Sequence, residues 1–196
     1  MNNATTNKND VTIFAIIHND VPADLRKSIY ADYLSHVMGE LESISGRKFH
    51  VVLGTGEPYS SFVYKDKDRQ SMLKRWESLG YKYLQEAEQK GFDTRDLNKV
   101  ILLTKYGINE ETSGIALIDP RINAGKFAIS SLERYLNPGH EIGHLLGATH
   151  ENAEVQYNGW WCETYMTAQP QPIRSTCYKF SETNRQAIKN YLATQD

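Results

Sequence analysis

Cysteine is scarce in this chain, two in 196 residues, and there are only six prolines. Two cysteines make at most one bridge, so the protein is not a disulfide scaffold and must be held by a hydrophobic core. A chain of this length buries roughly 70% of its unfolded surface, enough to build one. Long apolar runs are also missing. The longest, Val11 to Ile17 (VTIFAII), is far short of the roughly 20 residues that cross a bilayer, which excludes a helical membrane span. Neither sign of charge is in excess: 22 basic residues face 24 acidic ones, so the basic footprint of a nucleic-acid partner is absent. The first ten residues (MNNATTNKND) lack the basic start and apolar stretch of a secretory signal. Residues 1–10 read as a disordered polar tail.

What is present after that tail is a succession of well-patterned segments. Val11 to Ile17 reads as a buried strand ending at His18-Asn19-Asp20. From Asp24 to Ser45, apolar residues recur every fourth position (Leu25, Ile29, Tyr33, Val37, Leu41), which predicts a helix stopped by Gly46. Phe49 to Leu53 predicts a second strand, and Gln70 to Lys90 a second long helix carrying Met72, Trp76, Tyr83 and Ala87. Val100 to Thr104, Gly114 to Ile118 and Phe127 to Ser130 read as three more strands. Ser181 precedes a closing helix with Ala187, Ile188, Tyr191 and Leu192 on one side. The order of elements indicates an α/β or α+β fold. No repeat, linker or shift in composition divides residues 11–196, which read as one domain.

The chemistry lies in His140 to Glu151, HEIGHLLGATHE. On a helix, His140 and His144 share one face, a turn apart, so two imidazoles can meet one metal ion. Glu141 projects about 100° further round, beside the ion, where a base acting on metal-bound water belongs. Gly147 can take the left-handed conformation that ends a helix and turns the chain back, returning His150 to the same ion. Three imidazoles leave the fourth position of a zinc ion open, as a catalytic site requires. Five specified residues at these spacings arise by chance with a probability on the order of 10⁻⁴. His18, His36 and His50 have no partners at ligand spacing and read as structural. The start of the ligand helix is open: Asn137 could cap it, with Pro138 in its first turn, or the helix could begin near Ser130 or Ser131 and kink.

These residues resemble the signature of the metzincin zinc endopeptidases, HExxHxxGxxH followed by a methionine-containing turn. Met166 in ETYMT, 16 residues past His150, resembles that turn. Astacins and serralysins have a tyrosine two residues after the methionine; here Ala168 stands there, so the site is most similar to the adamalysin (reprolysin) branch, or to the matrixins. The resemblance implies a twisted mixed five-stranded sheet with two long helices, a zinc-ligand helix and a C-terminal helix, with subdomains at about 11–147 and 148–196. It implies one catalytic Zn²⁺ held by His140, His144 and His150, Glu141 as base, and hydrolysis of internal peptide bonds. It also implies a Cys162–Cys177 disulfide flanking the methionine turn, and with it a secreted or otherwise exported protein. An extended protein or peptide substrate would pair with the edge strand at Gly114, Ile115 and Ala116, while Thr167 and Ala168 open the wall of the pocket for the residue after the cut. Trp160 and Trp161 could line that cleft. The chain is expected to act as a monomer. The rival expectation is a catalytically silent zinc-containing module that binds proteins.

Overall fold

A strand that is apolar at nearly every position must be covered on both faces, and Val11–Ile17 is: all seven residues are buried. The structure, a computed structural model, describes residues 10–195. The tail expected at 1–10 lies outside these except for Asp10, whose carboxylate meets His50 Nε2 at 2.9 Å. Strand β1 (Val11–Ile17) pairs in parallel with β2 (Phe49–Gly54) on one side and β3 (Lys99–Thr104) on the other. Strand β5 (Ala124–Ser131) lies parallel to β3, and β4 (Gly114–Asp119) closes the sheet antiparallel to β5, giving the order β2-β1-β3-β5-β4. The five strands and the mixed sheet agree with the expectation from sequence.

Alternation of side chains about the sheet sorts the core into two layers. Ile13, Ala15, Ile101 and Leu103 face helices α2 (Ser35–Ser45), α4 (Asn137–Leu145) and α5 (Glu182–Ala193). Phe14, Ile16, Val100 and Leu102 face the long helix α3 (Arg69–Gln89) through Met72, Trp76 and Leu84. Trp76 Nε1 donates to the Ala128 carbonyl at 3.0 Å, tying α3 to β5. The first predicted helix forms as α1 (Ala23–Ile29), which runs through a π turn at Tyr30–Leu34 into α2. Ser181 caps α5 as expected, its side chain accepting from Asn184 N.

Two features depart from the sequence reading. Strands β6 (Val155–Tyr157), β7 (Trp161–Glu163) and β8 (Ser175–Thr176) form a small second sheet. They are too short to show a period. Asn137 does not cap the ligand helix. It is the first residue of α4, followed by Pro138, and Leu136 holds the cap position. The Asn137 side chain donates instead to Ser131 Oγ at 2.9 Å. The alternative of a kinked helix from Ser130 or Ser131 does not hold either, because β5 runs through both residues.

Candidate metal centre

Helix α4 begins six residues beyond the end of β5, and Pro138 suits its first turn, where a missing N–H costs nothing. The helix has to lie close against the chain beneath it, and its glycines allow this. A Cβ on Gly139 would fall 2.5 Å from the Tyr165 ring, and one on Gly143 would fall 2.6 Å from Met166 Sδ. Met166 is thus fully buried against the ligand helix. Past α4, Gly147 takes φ +94°, and the Gly147 and Ala148 amides donate to the His144 and Gly143 carbonyls. This turn carries the chain into a 3₁₀ turn at His150–Asn152. Asn184 on α5 secures the return. Its side chain accepts from Thr149 N at 2.9 Å and donates to Thr149 O at 3.0 Å. Sequence reasoning missed Asn184; its sign is a polar residue in the Asn184–Ile188–Leu192 stripe of a helix otherwise apolar on that face.

The three histidines converge. His150 Nε2 lies 2.8 Å from His140 Nε2 and 3.0 Å from His144 Nε2, and their ligand atoms all lie within 4.8 Å of one another. On the far side of each ring, His140 Nδ1 is 2.8 Å from the Tyr165 carbonyl and His144 Nδ1 is 3.1 Å from the Ala148 carbonyl. A carbonyl only accepts, so both Nδ1 atoms carry the proton and both Nε2 atoms present lone pairs. A proton on His150 Nε2 can answer only one of those lone pairs, whereas a cation among the three rings answers all of them. Zinc fits this donor set: with bonds of about 2.0–2.1 Å, tetrahedral ligands stand about 3.3 Å apart, within about half an ångström of the two distances from His150 Nε2. Burial lowers His140 to about 3, helped by the His144 charge, and His144 to about 4, helped by that of His150. Both rings are therefore neutral at physiological pH, the form that ligates metal.

Glu141 is buried beside this cluster, and its Oε2 has no hydrogen-bond partner. Burial alone pushes its carboxyl up to about 8, a value that a neighbouring dication would bring down. Gly114, the first residue of β4, lies directly against it: a Cβ there would fall 2.5 Å from Glu141 Oε1. A cavity of about 460 Å³ opens in front of His140, Glu141 and His150. Of the predicted substrate residues, Gly114, Thr167 and Ala168 line it. Ile115 and Ala116 continue along β4, half-buried, and pack against opposite faces of the core. Strand β4 is the last strand of the sheet, so its outer edge has no strand partner among the described residues. Glu110, Glu111, Thr112, Arg134 and Asn137 also line the cavity; no motif marks them, because the loops that precede β4 and α4, and the first residue of α4, bring them there.

The remaining site expectations fall elsewhere. Trp160 and Trp161 do not line the histidine cavity; they border a separate apolar cavity of about 500 Å³ with Val155, Ile173 and Arg174. Cys162 and Cys177 are joined as a disulfide, which links β7 to the residue just after β8. His18, His36 and His50 stay apart from the metal centre: His18 contacts Asp20 and the Phe62 carbonyl, His36 stacks on Tyr178, and His50 meets Asp10.

No protein-family profile and no curated protein matches this chain. Among solved structures it is similar to an archaemetzincin from Methanopyrus kandleri, with 13% identity over 96% of this chain and 99% of that one, and a TM-score of 0.52. A zinc-dependent peptidase from Methanocorpusculum labreanum matches at 16% identity over 90% of this chain and 99% of that one, TM-score 0.49. A metalloproteinase-II from Bacteroides fragilis matches at 20% identity over 96% of this chain and 55% of that one, TM-score 0.49. The archaemetzincin likeness establishes a shared fold: the mixed five-stranded sheet with its covering helices.

Proposed function

We propose that the protein is a zinc-dependent endopeptidase that hydrolyses internal peptide bonds. The observation that carries this reading is the convergence of three imidazole Nε2 atoms, with a buried, unpartnered carboxylate beside them at the head of an open sheet edge. His140, His144 and His150 would hold one zinc ion, which when bound polarises the scissile carbonyl and makes water a nucleophile near neutral pH. Glu141 takes the proton from the attacking water and passes it to the leaving amine, a two-way transfer that a single carboxylate can perform. Its burial excludes competing solvent, and Gly114 leaves it the room to act. Met166 serves as an apolar floor under the ligand helix. Ala168, two residues on, supplies no further ligand, which favours the adamalysin or matrixin branch.

Substrate binds extended along β4, whose free edge offers backbone donors and acceptors. Strand β4 runs from Gly114, at Glu141, away to Asp119. A peptide antiparallel to it places the residues after the scissile bond toward Gly114 and into the cavity walled by Thr167 and Ala168. The Cys162–Cys177 disulfide supports action in an oxidising compartment outside the cytoplasm, and a single chain supplies every group named. An intact Glu141 speaks against a silent binding module. The deciding experiment incubates the zinc-loaded protein with a mixed peptide library and reads cleavage sites by mass spectrometry. Chelator-sensitive cleavage is expected, and Glu141→Ala is expected to abolish it while retaining one zinc per chain. Full activity in that variant would remove Glu141 from the mechanism.

A further inference from the structure

One cation in the cleft has no part in the chemistry described so far. Arg134 lies three residues ahead of α4, is exposed, and lines the cavity together with Asn137, Glu141 and the segment 167–170. Its backbone is fixed, since the Arg134 carbonyl accepts from Asn137 N at 3.2 Å. Its guanidinium differs from those of Arg75, Arg95, Arg121, Arg174 and Arg185, each of which sits against a carboxylate. Among the described residues Arg134 has no such partner. The adjacent Glu133 is occupied elsewhere: its Oε2 accepts from Gly107 N at 3.1 Å and from Ser131 Oγ at 3.3 Å. The cleft therefore contains an anchored arginine with a free head.

Building on the peptidase reading above, we propose that Arg134 selects an acidic side chain at the substrate residue immediately after the scissile bond. A peptide antiparallel to β4 directs that side chain into the space between Thr167–Pro170 and the start of α4, where Arg134 and Asn137 stand. A guanidinium presents a planar fork of donors that matches a carboxylate, and an amide side chain of equal size gains less from it. Glu110 and Glu111 lie on the loop before β4 and are exposed. They repel an acidic side chain placed against their own loop, which confines the preference to the position that reaches Arg134.

The test uses three fluorogenic peptides identical except for Glu, Gln or Lys after the cut, with cleavage measured on the zinc-loaded protein. Binding of the same peptides to Glu141→Ala is followed by fluorescence anisotropy. The Glu peptide is expected to exceed the Gln peptide by roughly tenfold in kcat/KM, the scale of one partly solvated charge-assisted contact, with the same order in binding. Arg134→Gln is expected to erase the difference, and Arg134→Glu to turn the preference toward Lys. Equal handling of Glu and Gln peptides by the wild type, or a preference that survives Arg134→Gln, would overturn the proposal and leave the peptidase reading intact. Selective binding of the Glu peptide without any cleavage would overturn the peptidase reading and keep Arg134 as the selecting residue. Neither cleavage nor binding would overturn both.

Discussion

Replacing Gly114 by alanine tests whether the edge strand sets the position of the proposed base, Glu141. The added Cβ would stand 2.5 Å from Glu141 Oε1, 2.8 Å from its Cδ and 2.9 Å from its Cγ, whereas ordinary contact begins at 3.4 Å. Relief of these contacts requires the carboxylate and the strand to separate by about 0.5–0.9 Å, the shortfall at the Cγ and Oε1 ends. Glu141 is buried, so the shift is imposed on its carboxylate or on β4 itself. A misplacement of about 1 Å at a reacting group costs roughly a hundredfold in rate, and overpacking of this kind costs about 1–3 kcal/mol of stability. Zinc-loaded Gly114→Ala should therefore lose about two orders of magnitude in kcat while keeping one zinc per chain and a cooperative urea transition. Steady-state hydrolysis of a fluorogenic peptide, metal analysis and denaturation together make the measurement. Wild-type kcat in a folded, zinc-loaded variant would refute the argument. A loss confined to KM would show that the methyl group obstructs substrate and leaves the base in place.

Three other outcomes can be checked on the same preparations. Lys99 is fully buried, with its Nζ donating to the Tyr191 hydroxyl at 2.7 Å, and burial, aided by the Lys126 charge, lowers its ammonium to about 7. In the unfolded chain a lysine titrates near 10.4. Between these values the unfolded state holds a proton that the folded state has released, so stability rises with pH across that window by on the order of 4 kcal/mol. Lys99→Met should be the more stable protein at pH 6 and lose that advantage by pH 10; a urea-midpoint difference that is flat in pH would contradict it. Zinc should bind one ion per chain and raise stability by about 2.7 kcal/mol when free zinc is a hundred times Kd, and His150→Ala should reduce that gain in a thermal melt. Cys162 and Cys177 are 15 residues apart in sequence, so replacing both by alanine should cost up to about 3 kcal/mol, read as a lower urea midpoint with the zinc stoichiometry unchanged.

Elements whose evidence is local were legible in the sequence. Strand β1 is apolar at every position but Thr12 because it lies inside the sheet with both faces covered. Helix α3 shows its buried stripe through Met72, Trp76 and Ala87 because only one face meets the sheet. The strands β6 to β8 were not legible. Each is three residues or fewer, and β7 finds β8 across an intervening loop. Lys99 precedes the predicted strand Val100 to Thr104, yet it belongs to β3 and is buried on Tyr191, 92 residues away. Trp160 and Trp161 were within a few residues of the methionine turn, and proximity in sequence suggested the cleft; the β6–β7 hairpin carries them to a different surface.

The sequence alone determined the candidate metal-ligand set, because His140, His144, Gly147 and His150 lie within one helix and its closing turn, where spacing fixes direction. It also pointed to the proposed base, Glu141, one residue along the same helix. The tertiary structure alone decided what surrounds them. The carbonyls of Tyr165 and Ala148 that orient two imidazoles, the Asn184 clamp on Thr149, the bare backbone of Gly114 against Glu141, and Arg134 in the cleft come from separate segments. No local period records such meetings, since they depend on how β4, β5, the Met166 turn and α5 pack against α4. The candidate groups could be read from the spacing of one short segment, but what orients and surrounds them depends on contacts between distant ones.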